Sequence, residues 1–151
     1  MKGCTFCGIV AAEIPASIVH SDESVVAFLD YRPLLPGHVL AVPRTHYEVL
    51  GDLPAAEVGP LFVTVQRLAL AVEKAMHADG SFVALNIRIS QSVPHVHVHV
   101  VPRRKGDGLF GRNFVWLRRP YPNDAAMVEA QRAIQAALAE STAAGGQRAD
   151  R

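Results

Sequence analysis

The chain has 151 residues, half of them apolar and 19% charged, with a formal net charge of +1. That length suits one domain with a hydrophobic core, and the composition excludes a disordered chain. A near-neutral balance gives no bulk attraction to nucleic-acid backbone or an anionic membrane, whereas a small anion such as a nucleotide needs only a local site.

Residues 4–13 carry apolar side chains at helical spacing and run out near Pro15, which predicts a short helix. This stretch superficially suggests a signal peptide, but Cys4, Cys7 and Glu13 interrupt it. No segment reaches the roughly 18 uninterrupted apolar residues of a membrane span, so the expectation is a cytoplasmic protein. Cys4 and Cys7 are the only cysteines, spaced C-x-x-C. Two are too few for a disulfide framework, a redox pair would normally sit inside a βαβ unit, and a zinc half-site needs two more ligands.

Ser17–His20 and Val25–Asp30 read as strands joined by a polar turn, and His38–Pro43 as a strand after the loop 33–37. From Pro54 to His77 the pattern is helical, with Leu61, Val65, Leu68, Leu70, Val72 and Ala75 as its apolar stripe. Pro60 is expected in the first turn of that helix and Gly80 at its close. Phe82–Ile87 and Val96–Val101 are two further strands around the loop Ile89–Pro94. Residues 103–123 are basic, glycine-rich and irregular, with Trp116 the only tryptophan. Asp124 is expected to cap a helix running to Glu140. The class is α+β with an antiparallel sheet, as a single domain over 1–140 and a flexible tail over 141–151.

The informative segment is Gln91-Ser92-Val93-Pro94-His95-Val96-His97-Val98-His99-Val100-Val101. On a strand, His95, His97 and His99 share one face while Val96, Val98 and Val100 pack behind them, with successive histidines roughly 6.6 Å apart. Three of the seven histidines within five positions is a poor way to build a merely polar face. A histidine-only metal site is the competing reading, and the flanking Gln91-Ser92 favours a phosphate.

This segment resembles the H-φ-H-φ-H-φ-φ signature of the histidine-triad (HIT) family, where φ is apolar. The likeness extends from Cys4 to Arg103 through Phe6-Cys7-Gly8-Ile9-Val10, Ala27-Phe28-Leu29-Asp30, Pro36-Gly37-His38 and Val42-Pro43-Arg44-Thr45-His46. It implies a five-stranded antiparallel sheet with helices packed against it, usually as a homodimer built through the long helix and a sheet edge. It places the nucleophile on His97, with His99 managing charge and protons at the phosphate and His38 supporting the triad. Gln91 and Ser92 correspond to polar residues at the scissile bond and Asn86 to an α-phosphate contact. Asp30 corresponds to the acceptor of the ribose hydroxyls, and Phe6, Ile9, Phe28 and Tyr31 to the base slot. In a zinc-containing branch the C-x-x-C pair joins two histidines, which implies structural zinc on Cys4, Cys7, His46 and His95. His20 and His77 match no motif and are expected at the surface.

The resemblance implies hydrolysis or transfer at the α-phosphate of a purine nucleotide conjugate through a nucleotidyl-histidine. The basic run Arg103-Arg104-Lys105 suggests dinucleoside polyphosphates, whose extra phosphates it would meet; phosphoramidates are the alternative. Nucleic acid and membrane are not expected partners. The rivals are a non-catalytic nucleotide-binding regulator and a nucleotidyl transferase to phosphate or a sugar phosphate. One departure stands out: the segment between Asn86 and Gln91 is short and lacks the glycine that many family members carry there.

Overall fold

The computed structural model describes residues 3–110 and 118–146; Trp116 and residues 147–151 of the expected tail lie outside them. The elements in chain order are α1 (Thr5–Val10), β1 (Ile18–Ser21), β2 (Val25–Leu29), β3 (Val39–Pro43), α2 (Ala55–Ala75), β4 (Gly80–Ala84), β5 (Val98–Arg103) and α3 (Asp124–Gly146). The strands form one antiparallel sheet in the order β1-β2-β3-β5-β4.

Both faces of the central strands are covered, which explains why β2 and β3 read as continuous apolar runs rather than alternating ones. On one face Val25, Ala27, Leu29, Val39, Ala41, Val98 and Val100 pack against the stripe of α2 and against Ala130, Ile134 and Leu138 of α3. On the other face Val26, Phe28, Leu40 and Val42 meet Phe6 of α1. The period of two therefore sorts the triad strand, sending its valines into the α2 core and its histidines to the α1 side. Although α2 is long and apolar enough to cross a membrane, its stripe is spent on this core.

Several boundaries differ from expectation for local reasons. Helix α2 starts at Ala55, so Pro60 lies in its second turn. It closes not at Gly80 but through His77, which takes a left-handed φ of 50° while the Ala78 N–H bonds the Glu73 carbonyl and the His77 N–H bonds that of Lys74. That closing motif usually uses glycine at the His77 position. Gly80 instead opens β4. Leu70, placed in the buried stripe by spacing, is 60% exposed. Strand β4 ends at Ala84 rather than Ile87, and β5 begins at Val98 rather than Val96. Asn123, not Asp124, caps α3, its Oδ1 accepting the Ala126 N–H at 2.9 Å. The helix runs on to Gly146, past the predicted end at Glu140.

Gly37 is required where it stands. Its φ is 90°, a Cβ there would meet the Met76 side chain at 2.6 Å, and its N–H donates to the Tyr121 hydroxyl. This turn delivers His38 into the sheet beside the triad strand.

Candidate active site and metal centre

A cavity of about 680 Å³ opens between α1, the end of β2 and the triad strand. Phe6, Ile9, Phe28, Asp30, Tyr31, Ser92, His97 and His99 all line it, as the sequence reading requires. Phe6 sits edge-on to both Phe28 and His97, with centroids 5.4 and 5.1 Å apart. An apolar slot thus adjoins the histidines, while Tyr31 stands exposed at the rim.

Backbone groups fix the proton positions on the histidines. The His97 Nδ1–H donates to the His95 carbonyl at 2.7 Å, which leaves the lone pair of the neutral ring on Nε2. The Leu34 N–H donates to His38 Nδ1 at 3.2 Å, so the His38 proton is on Nε2 and donates to His99 Nδ1 at 2.9 Å. Neutral His99 then carries its own proton on Nε2. One imidazole thus offers a lone pair and its neighbour a proton.

His38 and His99 are buried, and burial, reinforced by Arg118 and His97 around His38 and by His38 and His97 around His99, lowers both to about 3. The unfolded chain takes up these protons as pH drops through about 6.5 while the folded chain does not. Their stabilising effect is therefore complete above that value and is lost as pH falls toward 3, by about 2 kcal/mol per histidine at pH 5. Urea midpoints at pH 7.5 and 5.0 should show the loss, and His99→Gln should remove its share. An equal drop in that variant would refute the assignment and leave the acid sensitivity to other groups.

Two expected phosphate contacts are placed elsewhere. Asn86 and Gln91 do not line the cavity. The Gln91 amide is engaged by the Arg88 N–H at 2.8 Å and the Glu48 carbonyl at 2.6 Å, closing the short loop on itself. Arg88 and Ser90 adopt left-handed φ of 63° and 59° there, a conformation that favours the glycine this segment lacks. Two of the three residues of the basic run have their side chains committed structurally. Arg103 grips Asp107 with two bonds of 2.6 and 2.8 Å and covers the Phe110 ring, and Arg104 donates to the Met76 and His77 carbonyls at the end of α2. Of the unmatched histidines, His77 is exposed and His20 is half-buried against Asp22.

Cys4, Cys7, His46 and His95 converge, their ligand atoms all within 4.8 Å of one another. Bonds of about 2.3 Å to sulfur and about 2.1 Å to nitrogen around a tetrahedral ion put sulfur and nitrogen about 3.6 Å apart. Cys4 Sγ and Cys7 Sγ lie 3.5 and 3.6 Å from His95 Nδ1, and Cys7 Sγ lies 3.3 Å from His46 Nδ1. His95 donates its Nε2–H to the Pro43 carbonyl at 2.9 Å, which turns the Nδ1 lone pair to the cluster. A Cys2His2 set of this shape fits structural zinc, with no position left for substrate.

Sequence reasoning missed Arg118, which lines the cavity beside His99. It lies 88 residues from Asp30 in sequence and has no motif around it to mark it.

Three histidines at alternate positions leading into β5, two with backbone-fixed tautomers, beside an apolar slot define a histidine-triad site. The HIT domain family model matches residues 11–106, and the chain belongs to the HIT family. An uncharacterized HIT-like protein of Mycobacterium tuberculosis is 36% identical over 143 residues, spanning 93% of this chain and 96% of that one. The crystal structure of a zinc-bound histidine triad family protein from Mycobacterium smegmatis is 38% identical, with a TM-score of 0.82 over 94% of this chain and 97% of that one. The asymmetrical bis(5′-nucleosyl)-tetraphosphatase of Schizosaccharomyces pombe is 34% identical over 96 residues, spanning 62% of this chain and 53% of that enzyme.

Proposed function

We propose that the protein hydrolyses nucleotide conjugates at the α-phosphate, with His97 as nucleophile and structural zinc beneath the site. The observation that carries this reading is the His97 Nδ1–H bond to the His95 carbonyl, which presents Nε2 in the cavity as a neutral base. The Nε2 lone pair forms a P–N bond as the bond to the leaving group breaks. His99 donates its Nε2–H to the phosphoryl oxygen or the leaving group, and water then cleaves the P–N bond to release the nucleoside monophosphate. Phe6, Ile9 and Phe28 form the base slot, Asp30 accepts the ribose hydroxyls and Ser92 lies near the scissile bond. The test is AMP release from diadenosine polyphosphates and an adenosine phosphoramidate, with intact mass reporting the adenylyl-protein and His97→Ala as the inert comparison.

The tetraphosphatase relative supports the dinucleoside polyphosphate branch. The commitment of Arg103 and Arg104 to Asp107 and to the end of α2 removes one argument for it, so relative rates on the two substrates decide the branch. Dependence of turnover on added phosphate would instead favour transfer.

A homodimer fits the outer surface. Helix α2 exposes Phe62, Val63 and Leu70, and the edge strand β4 exposes Val83. Leu70→Glu puts a charge into that face and should convert a dimer to a monomer by light scattering at micromolar concentration. An unaltered protein that elutes as a monomer would refute the dimer.

A further inference from the structure

Arg118 lines the cavity with Asp30, His97 and His99, and it is 37% exposed as a side chain. Its Nη1 lies 3.4 Å from Asp30 Oδ2 and also donates to the Arg32 carbonyl, which ties the guanidinium to the chain just after β2. Asp30 is 8% exposed, and its Oδ1 accepts the Arg32 N–H at 2.8 Å. Among the described residues Oδ2 has two polar neighbours, Arg118 Nη1 and, at 3.5 Å, His38 Nδ1. The second holds nothing, because His38 Nδ1 presents its lone pair to the Leu34 N–H. A carboxylate oxygen facing a ring nitrogen that already accepts a bond is repelled. The guanidinium therefore supplies both the hydrogen bond and the opposite charge at Oδ2.

We propose that Arg118 is a positioning residue for ribose recognition, its guanidinium holding the Asp30 carboxylate so that its remaining acceptor sites meet the nucleotide's 2′- and 3′-hydroxyls. This rests on the nucleotide reading above and extends it to a residue 88 positions away in sequence. A carboxylate offers about four acceptor sites, so beside the Arg32 N–H on Oδ1 and Arg118 Nη1 on Oδ2 one site remains on each oxygen. The orientation of the carboxylate decides whether a ribose is told from a sugar lacking hydroxyls.

The test compares AMP with 2′,3′-dideoxy-AMP by calorimetric titration of the zinc-loaded full chain, unaltered and as Arg118→Met and Arg118→Lys. Hydrogen bonds to a charged acceptor should make the unaltered protein prefer AMP by about tenfold or more. Arg118→Met should shrink that preference to about threefold or less, AMP losing more affinity than dideoxy-AMP, and Arg118→Lys should restore part of it. A merely structural loss would weaken both ligands together and keep their ratio. Arg118→Met with the tenfold preference intact overturns the proposal. Equal weakening of both ligands also overturns it, in favour of a direct phosphate contact or a disturbed fold. If the unaltered protein binds AMP and dideoxy-AMP alike, Asp30 does not read the ribose and this proposal falls while the nucleotide reading stands. If it binds neither, the proposed function itself falls.

Discussion

His97→Ala is expected to cut AMP release by a factor on the order of 10⁴ or more while AMP affinity stays within about threefold. In the proposed reaction the His97 imidazole supplies the attacking lone pair, and none of the other three clustered histidines presents its lone pair to the cavity in the same way. His99 carries a proton on Nε2, His38 lies behind it, and His95 gives Nδ1 to the cysteines. The fold should survive, since the substitution leaves the His95 carbonyl free to bond water and the valines behind the strand untouched. The adenylyl mass adduct should appear only with the unaltered protein. His99→Ala should fall less far, because the loss of a donor leaves the attack itself possible. Equal AMP release by the unaltered protein and His97→Ala would remove the nucleophile assignment. Tight AMP binding by both, with turnover by neither, would favour a regulatory binding module.

The parts of this site that were legible in the sequence are those governed by short-range periodicity. Alternation sorts His95, His97 and His99 from Val96, Val98 and Val100 without knowledge of the partners, and the structure separates them in that way. The four metal ligands follow from the likeness to a zinc-containing branch, and they converge. Asn86 and Gln91 depend instead on the path of a loop. That loop is two left-handed residues, Arg88 and Ser90, and a side-chain bond to a carbonyl 43 positions away, none of which composition reveals. Arg118 is harder still, because the contacts that single it out are to Asp30 and the Arg32 carbonyl, and its own neighbours in sequence, Leu117 and Arg119, form no motif. Leu70 has the spacing of a core residue, and only the packing of α2 shows that it faces outward.

Zinc removal is expected to have the largest effect on stability, and through it on nucleotide binding. Helix α1 has six residues and no side-chain cap, too short to persist alone, yet it carries Phe6 and Ile9 of the apolar slot, the base site in the proposed function. Its anchors are Phe6 packed in the second core and the two cysteines joined to His46 after β3 and His95 before β5. Without the ion, fully buried His95 is held by its Nε2–H bond to the Pro43 carbonyl with no metal on Nδ1, and the backbone carbonyl that orients His97 is less firmly fixed. The bound metal should appear at about one per chain by elemental analysis, and Cys7→Ser should lose it. Loss of a site whose binding energy is folding energy should lower Tm by roughly 10 °C or more. The nucleotide KM should rise more steeply than kcat falls, because α1 shapes the slot while His97 lies next to β5 at the start of the sheet strand. A chain that purifies without metal at the same Tm as Cys7→Ser would show that packing of Phe6 against Phe28 holds α1 by itself. A fall in kcat with unchanged KM would mean that the metal acts through the His95 carbonyl rather than through the helix.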